Sequence, residues 1–296
     1  MTIEHCTLCP RRCGARRKPS CGNGRCGMGA DAVVARAALH FWEEPCISGK
    51  SGSGAVFFTG CPLGCVFCQN YEISSERKAG KAVFPEKLAD IFKDLVRQGA
   101  NNINLVTPTH FVPAIIEALS IWKPPVPVVY NCGGYENVET LKMLEGHVDI
   151  YLPDFKYAES GLAAELSDAP DYPEIAEKAL AEMFRQTGPA VIDSSGMMKK
   201  GTMVRHLILP GHTRNSIAVL NWLAEHFPHG VPVSLMAQYV PCGLASEHPP
   251  LGRSITRREY EKVQDHLFTL GLEGYVQDRE SASKSYIPKF DLSGVS

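Results

Sequence analysis

Three cysteines fall within eight residues at Cys61-Pro-Leu-Gly-Cys65-Val-Phe-Cys68, directly after the apolar run AVFFTG. Thiolates are soft ligands that suit iron–sulfur clusters and zinc. A loop this tight can wrap three thiols around one cluster and leave a fourth iron without a protein ligand. An open iron can bind a substrate, where a fully ligated cluster only relays electrons. Structural zinc takes four ligands in paired C-x2-C spacings, and the triplet has no fourth cysteine close by. Three metal-free buried thiols and a ferredoxin-like electron carrier are the other readings.

Charged residues recur where apolar runs end. Asp154 and Lys156 follow VDIYL, and the strand period of two puts the carboxylate and the ammonium on one side. Burying both without partners is costly, so they either pair as a rim salt bridge or face a ligand. Arg205 sits inside MVRHLILPG, where it points either into helix packing or into a lumen, and a lumen arginine offers a fork to a carboxylate. This set is what separates an enzyme from an electron carrier, which has no need of such charges in its interior. His110 in TPTH, and Tyr135 and Glu136 after Gly133-Gly134, are candidate proton donors or substrate contacts. For His110, capping a helix is an equal reading.

A second group of thiols, Cys6, Cys9, Cys13, Cys21 and Cys26, lies among Arg11, Arg12, Arg16, Arg17 and Lys18. Neighbouring cations lower thiol pKa values and favour metal-binding thiolates. An auxiliary iron–sulfur cluster or a structural zinc would suit them. Their spacing fits no single metal module, and five thiols exceed four ligands, so a second metal centre stays an open reading.

These residues need a scaffold, and 296 residues with 44% hydrophobic content suffice for one large domain and a small appendage. A formal net charge of -2 provides no global field for nucleic acid or an anionic membrane. Eleven cysteines cannot all pair in disulfides. The opening MTIEHCTLCPRRC has no apolar leader segment, and no run is long enough to cross a bilayer. A reducing cytoplasm is the expected location.

Residues 1–54 read as a cysteine-rich extension ending in the glycine-rich stretch 49–54. From residue 55, short apolar runs alternate with segments of helical period, the pattern of a parallel sheet with crossover helices. The strands are AVFFTGC, NINLVTP, PVVYNCGG, VDIYLPDFK, MVRHLILPG and PVSLMAQYVP. Helical patterns cover 85–100, 111–122, 138–144, 172–184, 216–227 and 257–270. Six such units predict an α/β fold, a partial (β/α)6 barrel of TIM type over 55–296, with functional groups just after the C-terminal strand ends.

With that frame, CPLGCVFC resembles the C-x3-C-x2-C signature of the radical S-adenosylmethionine (radical SAM) superfamily, with aromatic Phe67 before the last cysteine. D-x-K at Asp154 and Lys156, and R-x4-PG from Arg205, resemble strand motifs of the pyruvate formate-lyase activating enzyme. CTLCPRRC, the GSG-rich entry to the first strand and the closing PKFD are similar to a less characterised branch of its homologues. The resemblance implies a 4Fe-4S cluster on Cys61, Cys65 and Cys68, whose open iron is chelated by S-adenosylmethionine. Reductive cleavage would then yield methionine and a 5'-deoxyadenosyl radical. Lys156 and Arg205 would contact the cofactor's carboxylate or ribose, Asp154 would help hold a monovalent cation or the cofactor, and Phe67, Asn70 and Gln238 would line its site. A flavodoxin- or ferredoxin-type electron donor is implied. The radical would abstract hydrogen, activating a glycyl-radical enzyme, or else modify a small molecule or peptide. Two departures stand out: Thr107-Pro108-Thr109-His110 replaces the usual Gly-Gly-Glu, and Val240 replaces a histidine.

Overall fold

The apolar runs lack a polar alternation because both of their faces are covered, as in parallel sheets flanked by helices. The computed structural model describes residues 2–277 and 287–295. Residues 2–31 are turns joined by isolated bridges from Ile3 to Arg17 and from Arg17 to Gly22. Then follow β1 (Ala32–His40), a helical turn α1 (Pro45–Ser48), β2 (Ser53–Phe58), a second turn α2 (Tyr71–Ser74), β3 (Lys81–Val83) and α3 (Pro85–Arg97). Strands and helices alternate through β4 (Ile103–Val106), α4 (Val112–Ile121), β5 (Val128–Cys132), α5 (Val138–Met143), β6 (Ile150–Pro153), α6 (Ser160–Ser167) and α7 (Tyr172–Thr187). A hairpin of β7 (Val191–Ile192) and β8 (Met198–Thr202) leads into β9 (Val204–Leu207). The described elements end with α8 (Thr213–His226), β10 (Val233–Met236), α9 (Arg257–Leu270) and β11 (Gly274–Val276).

β2, β4, β5 and β6 pair in parallel, in that order. The wall continues to β9 through a parallel bridge between Asp154 and Arg205, where the Phe155 N–H donates to Arg205 O at 2.8 Å. β9, β10 and β11 complete it, again in parallel. The six expected strands are thus β2, β4, β5, β6, β9 and β10, and the fold is the partial TIM-type barrel with a cysteine-rich N-terminal extension. Five strands, β1, β3, β7, β8 and β11, were not expected. β3, β7 and β11 are only two or three residues long, and Ala-rich β1, which pairs antiparallel with β2 from Val34 to His40, carries no strand-like alternation.

Helix α3 shows why the local sequence folds as it does. Pro85 supplies a fixed φ at the first turn, and Leu88, Ala89, Ile91, Phe92 and Leu95 form one buried face. It packs with α4 over the outer side of β2, β4 and β5, against Val56, Phe58, Ile103 and Leu105. On the inner side, Cys46 and Ile47 of α1 join Val129, Ile150, Leu152, Met198 and Met203 in a separate apolar cluster. Residues 32–48 of the segment expected to stand apart as 1–54 therefore belong to the barrel's wall and floor. α9 begins with a capping box, in which Thr256 and Glu259 satisfy each other's backbone N–H groups. Glu259 also accepts the Gly211 N–H at 2.7 Å, tying α9 to the Pro-Gly turn after β9. No helix among the described residues is long and apolar enough to cross a membrane.

Candidate active site

The C-terminal ends of the parallel strands open onto one cleft, as the barrel topology requires. Its lining includes Cys61, Cys65, Phe67, Cys68 and Asn70 after β2, Thr107 and Thr109 after β4, and Tyr135 and Glu136 after β5. Asp154 and Lys156 after β6, Arg205 on β9 and Gln238 after β10 complete the ring. Every residue singled out from the sequence for the cluster, the cofactor or the substrate, His110 excepted, is among them; the N-terminal cysteines lie outside it.

The cysteine loop is clamped from two sides. The carbonyls that end α6 are free of helical partners, and two of them accept from the loop: Ser167 O from the Gly64 N–H at 3.1 Å and Leu166 O from the Val66 N–H at 2.9 Å. From the other side the Leu244 N–H donates to Val66 O at 2.7 Å. Each thiol also has a donor aimed at it. The Leu63 N–H points at Cys61 Sγ at 3.4 Å, the Ser167 hydroxyl at Cys65 Sγ at 2.9 Å and the Ser74 hydroxyl at Cys68 Sγ at 3.3 Å. Donors of this kind favour thiolate over thiol. Without a bound cation, burial and the neighbouring cysteines push the Cys68 thiol up to about 11 and the Cys61 thiol well above its ordinary value. Such thiols lose their protons when a metal takes their place.

The chemistry of this donor set fits an iron–sulfur cluster. Among the described residues no three His, Cys, Asp or Glu side chains converge as the ligands of a single metal ion do; a four-iron cluster is larger than one ion and asks for a wider set. Asn70 Oδ1, which lies in the cleft, is buried without a hydrogen-bond partner. An orphaned acceptor beside three thiols is a polar vacancy that a bound donor would satisfy.

Opposite the thiols, charges are built into a network. Arg205 Nε donates to Asp154 Oδ1 at 3.0 Å, Nη1 to Glu43 Oε2 at 3.1 Å and Nη2 to Asn131 Oδ1 at 2.6 Å. Asn131 Nδ2 returns a bond to Glu43 Oε1 at 3.2 Å, and Lys156 Nζ reaches Asp154 Oδ2 at 2.5 Å. The arginine fork is thus spent on the chain's own groups, whereas Lys156 Nζ has one side-chain partner among the described residues and faces the cleft. Burial opposes ionisation at Asp154, but the adjacent Arg205 and Lys156 outweigh it and hold the carboxyl below its usual range. Burial likewise opposes the charge on Lys156, and Asp154 and Cys65 override it. For Glu43 burial wins over Arg205 and the value rises.

Two glycines let this network assemble. Gly134 has φ +77, and a Cβ there would lie 2.1 Å from Asp154 O, so the turn after β5 closes over the end of β6 only without a side chain. Gly60, at φ +85, allows Met28 and the Cys26 carbonyl to approach the start of the cysteine loop.

Glu136 is buried and accepts hydroxyl bonds from Thr109 at 2.7 Å and Tyr130 at 2.9 Å. Burial outweighs those bonds and raises it to about 7, where a carboxyl can exchange a proton near neutrality. Tyr135 donates to Asp171 at 2.7 Å and carries the Arg11 guanidinium over its ring. His110 differs from the expectation. Its ring lies behind the cleft wall, with Nε2 2.8 Å from Thr59 O and Nδ1 buried without a partner. Burial pushes its pKa down to about 3. It is neutral at ordinary pH and remote from any substrate in the cleft.

Glu43 was not anticipated, because it sits in a stretch that reads as part of the extension. The pair Glu43-Glu44 between apolar HFW and PCI is the signal that could have found it, since two acids before a buried turn need cationic partners.

The family model described as the Radical SAM superfamily matches residues 55–223, from β2 into α8. An uncharacterized protein of Methanocaldococcus jannaschii, MJ0674, is 28% identical over 270 residues, covering 88% of this chain and 73% of its own. A radical SAM methyltransferase from Sphaerobacter thermophilus shares the fold with a TM-score of 0.53 and 14% identity, over 76% of this chain and 66% of that one. Streptococcus suis SuiB, in a structure with S-adenosylmethionine bound, gives a TM-score of 0.50 at 14% identity, over 74% of this chain. This chain spans only 48% of SuiB. With more than half of its residues matched by the family model, and with the three cysteines and the strand-end charges gathered at one mouth of the barrel, the chain belongs to the radical SAM superfamily.

Proposed function

We propose that Cys61, Cys65 and Cys68 hold the 4Fe-4S cluster that family membership implies, and that the cleft beside them binds S-adenosylmethionine. The observation that carries this reading is the opposition of three donor-supported thiols on the loop after β2 to Lys156 and Asp154 after β6 across one cleft. Bound there, the cluster supplies the electron that splits the sulfonium into methionine and a 5'-deoxyadenosyl radical.

The chain's own residues do the rest. Lys156 offers its ammonium to the cofactor's carboxylate, and Asn70 Oδ1 accepts a bond that it lacks in the protein alone. Gln238 lines the same cleft as a further polar contact. Arg205 holds Asp154 and Glu43 in place and contacts the cofactor less directly than its charge alone suggests, because its donors are already used. Both Asp154 oxygens also have partners, so a monovalent cation at Asp154 would share them with Arg205 and Lys156. Phe57, Leu63, Phe67, Val106 and Tyr239 provide apolar walls, which keep water and competing hydrogen donors from a reactive radical.

Within this chemistry the chain acts as an oxidoreductase of the activating-enzyme kind, reduced by a flavodoxin- or ferredoxin-type donor and abstracting hydrogen from a glycine of a partner protein. What supports this reading is the likeness of the D-x-K and R-x4-PG motifs to strand motifs of the activating enzyme, although those residues serve the cofactor and not the substrate. The test is anaerobic electron paramagnetic resonance of the reduced, reconstituted protein. Adding S-adenosylmethionine should change the cluster signal, and adding a glycyl-radical partner should then give a glycyl doublet. A changed cluster signal with no doublet from any such partner would leave the cofactor chemistry and remove the substrate. An unchanged cluster signal would remove both.

A further inference from the structure

The chemistry above leaves the N-terminal cysteines unused, and the fold treats them unequally. Cys6, Cys9 and Cys26 are buried, at 6%, 7% and 7% exposure, in a segment otherwise made of turns. Cys9 lies close enough to Cys6 and Cys26 for their charges to bear on it, and Cys26 stands in the same relation to Cys6 and Cys13. Cys13 Sγ packs on Gly24, where a Cβ would approach it to 2.9 Å. The turn carrying Cys6, Cys9 and Cys13 therefore meets the turn carrying Cys26. Cys21 is exposed, and its carbonyl accepts the Lys18 N–H.

The local backbone matches that of the cluster loop. The backbone N–H groups of Arg11 and Met28, each two residues on, bear on Cys9 and Cys26 and favour their thiolates. Cys61 is bonded by Leu63 and Cys68 by Asn70 at the same offset. A turn of this kind gives a sulfur a donor, which is what a metal-bound thiolate needs.

A third observation concerns charge. Arg17 is 1% exposed, and its donors go to Met28 O, Gly29 O and, at 3.5 Å, Cys6 Sγ, with the Phe111 ring beneath it. It has no ion pair with a carboxylate among the described residues. A buried guanidinium facing only neutral groups is costly, and a centre of four thiolates carries the negative charge that would balance it.

We propose that Cys6, Cys9, Cys13 and Cys26 form a second, four-thiolate iron–sulfur centre that fastens the N-terminal segment to the back of the cysteine loop. As with the triplet, the bound group would draw the sulfurs together. The fastening is visible: Arg11 Nε donates to Pro62 O at 2.8 Å, between Cys61 and Cys65, and Arg25 pairs with Asp168 at 2.8 Å beside the end of α6. A segment with so few apolar side chains draws its folding energy from such a centre.

The test removes the first site to expose the second. A Cys61→Ala, Cys65→Ala, Cys68→Ala variant, purified without oxygen, is analysed for zinc, iron and acid-labile sulfide. It should keep iron with matching sulfide. Adding Cys9→Ser and Cys26→Ser should abolish that metal, whereas adding Cys21→Ser should leave it. The same pair of substitutions in the otherwise wild-type chain should lower its total metal by the same amount, which covers the case of a triple variant that fails to fold. A folded triple variant free of iron and sulfide would overturn the proposal, as would an iron–sulfur centre that survives loss of Cys9 and Cys26.

Discussion

Ser167, the last residue of α6, directs its hydroxyl at Cys65 Sγ from 2.9 Å, and Tyr157 OH stands 2.6 Å from the same Ser167 oxygen. A relay from tyrosine through serine to sulfur is thus built into the support of the cysteine loop. A donor to a cluster sulfur stabilises the extra electron of the reduced form, so it raises the reduction potential. Ser167→Ala should assemble its cluster and show a lower midpoint potential in a redox titration followed by paramagnetic resonance. An unchanged midpoint would mean that Cys65 is not a cluster ligand or that the bond is lost on assembly.

Arg205 is the hub of the cleft floor, with Asp154, Glu43 and Asn131 all on its guanidinium. Removing it leaves buried Glu43 without a cation and Asp154 with Lys156 alone, and loss of one partner of a buried pair typically costs about 3–5 kcal/mol. Arg205→Leu should therefore lower urea stability by an amount in that range. Arg205→Lys should recover little, because a point charge cannot span three acceptors. A loss under about 1 kcal/mol for Arg205→Leu, the value of a surface pair, would contradict the buried network.

His206 faces outward from β9, with Nδ1 2.6 Å from Phe155 O and Nε2 buried without a partner. Burial lowers its pKa to about 4. The folded chain keeps the ring neutral while the unfolded chain takes a proton near the ordinary value, so this contribution to stability is complete above pH 6.5 and is lost as pH falls toward 4. At about 1.4 kcal/mol for each pH unit, the loss is about 3 kcal/mol. The stability advantage of wild type over His206→Gln should shrink by that amount between pH 7 and pH 4 in denaturant titrations. A constant difference would show that the ring is not buried neutral.

The triplet and the strands were legible because their signals are local. CPLGCVFC needs only its own spacing, and runs such as NINLV and VDIYL are short, apolar on both faces and bounded by turns. The elements that hold the site were less visible. α6 carries no strong apolar period in SGLAAELS, yet its end carbonyls and Ser167 clamp the cysteine loop. Glu43 enters the lumen because β1 joins the sheet and α1 plugs the floor, and both depend on pairings remote in sequence. His110 misled for the opposite reason: its place after β4 suggested the cleft, but the 3-10 turn at Thr109–Phe111 carries its ring behind the wall.

The central claim is that Cys61, Cys65 and Cys68 serve reductive cleavage of S-adenosylmethionine in this cleft. Its most direct test is the yield of 5'-deoxyadenosine from the reconstituted, chemically reduced protein under anaerobic conditions, compared with Cys65→Ala and Lys156→Met. The wild type should produce it and Cys65→Ala should not, while Lys156→Met should need markedly more S-adenosylmethionine to reach the same rate. Absence of 5'-deoxyadenosine from a wild-type protein carrying its full cluster, or equal yields from wild type and Cys65→Ala, would contradict it.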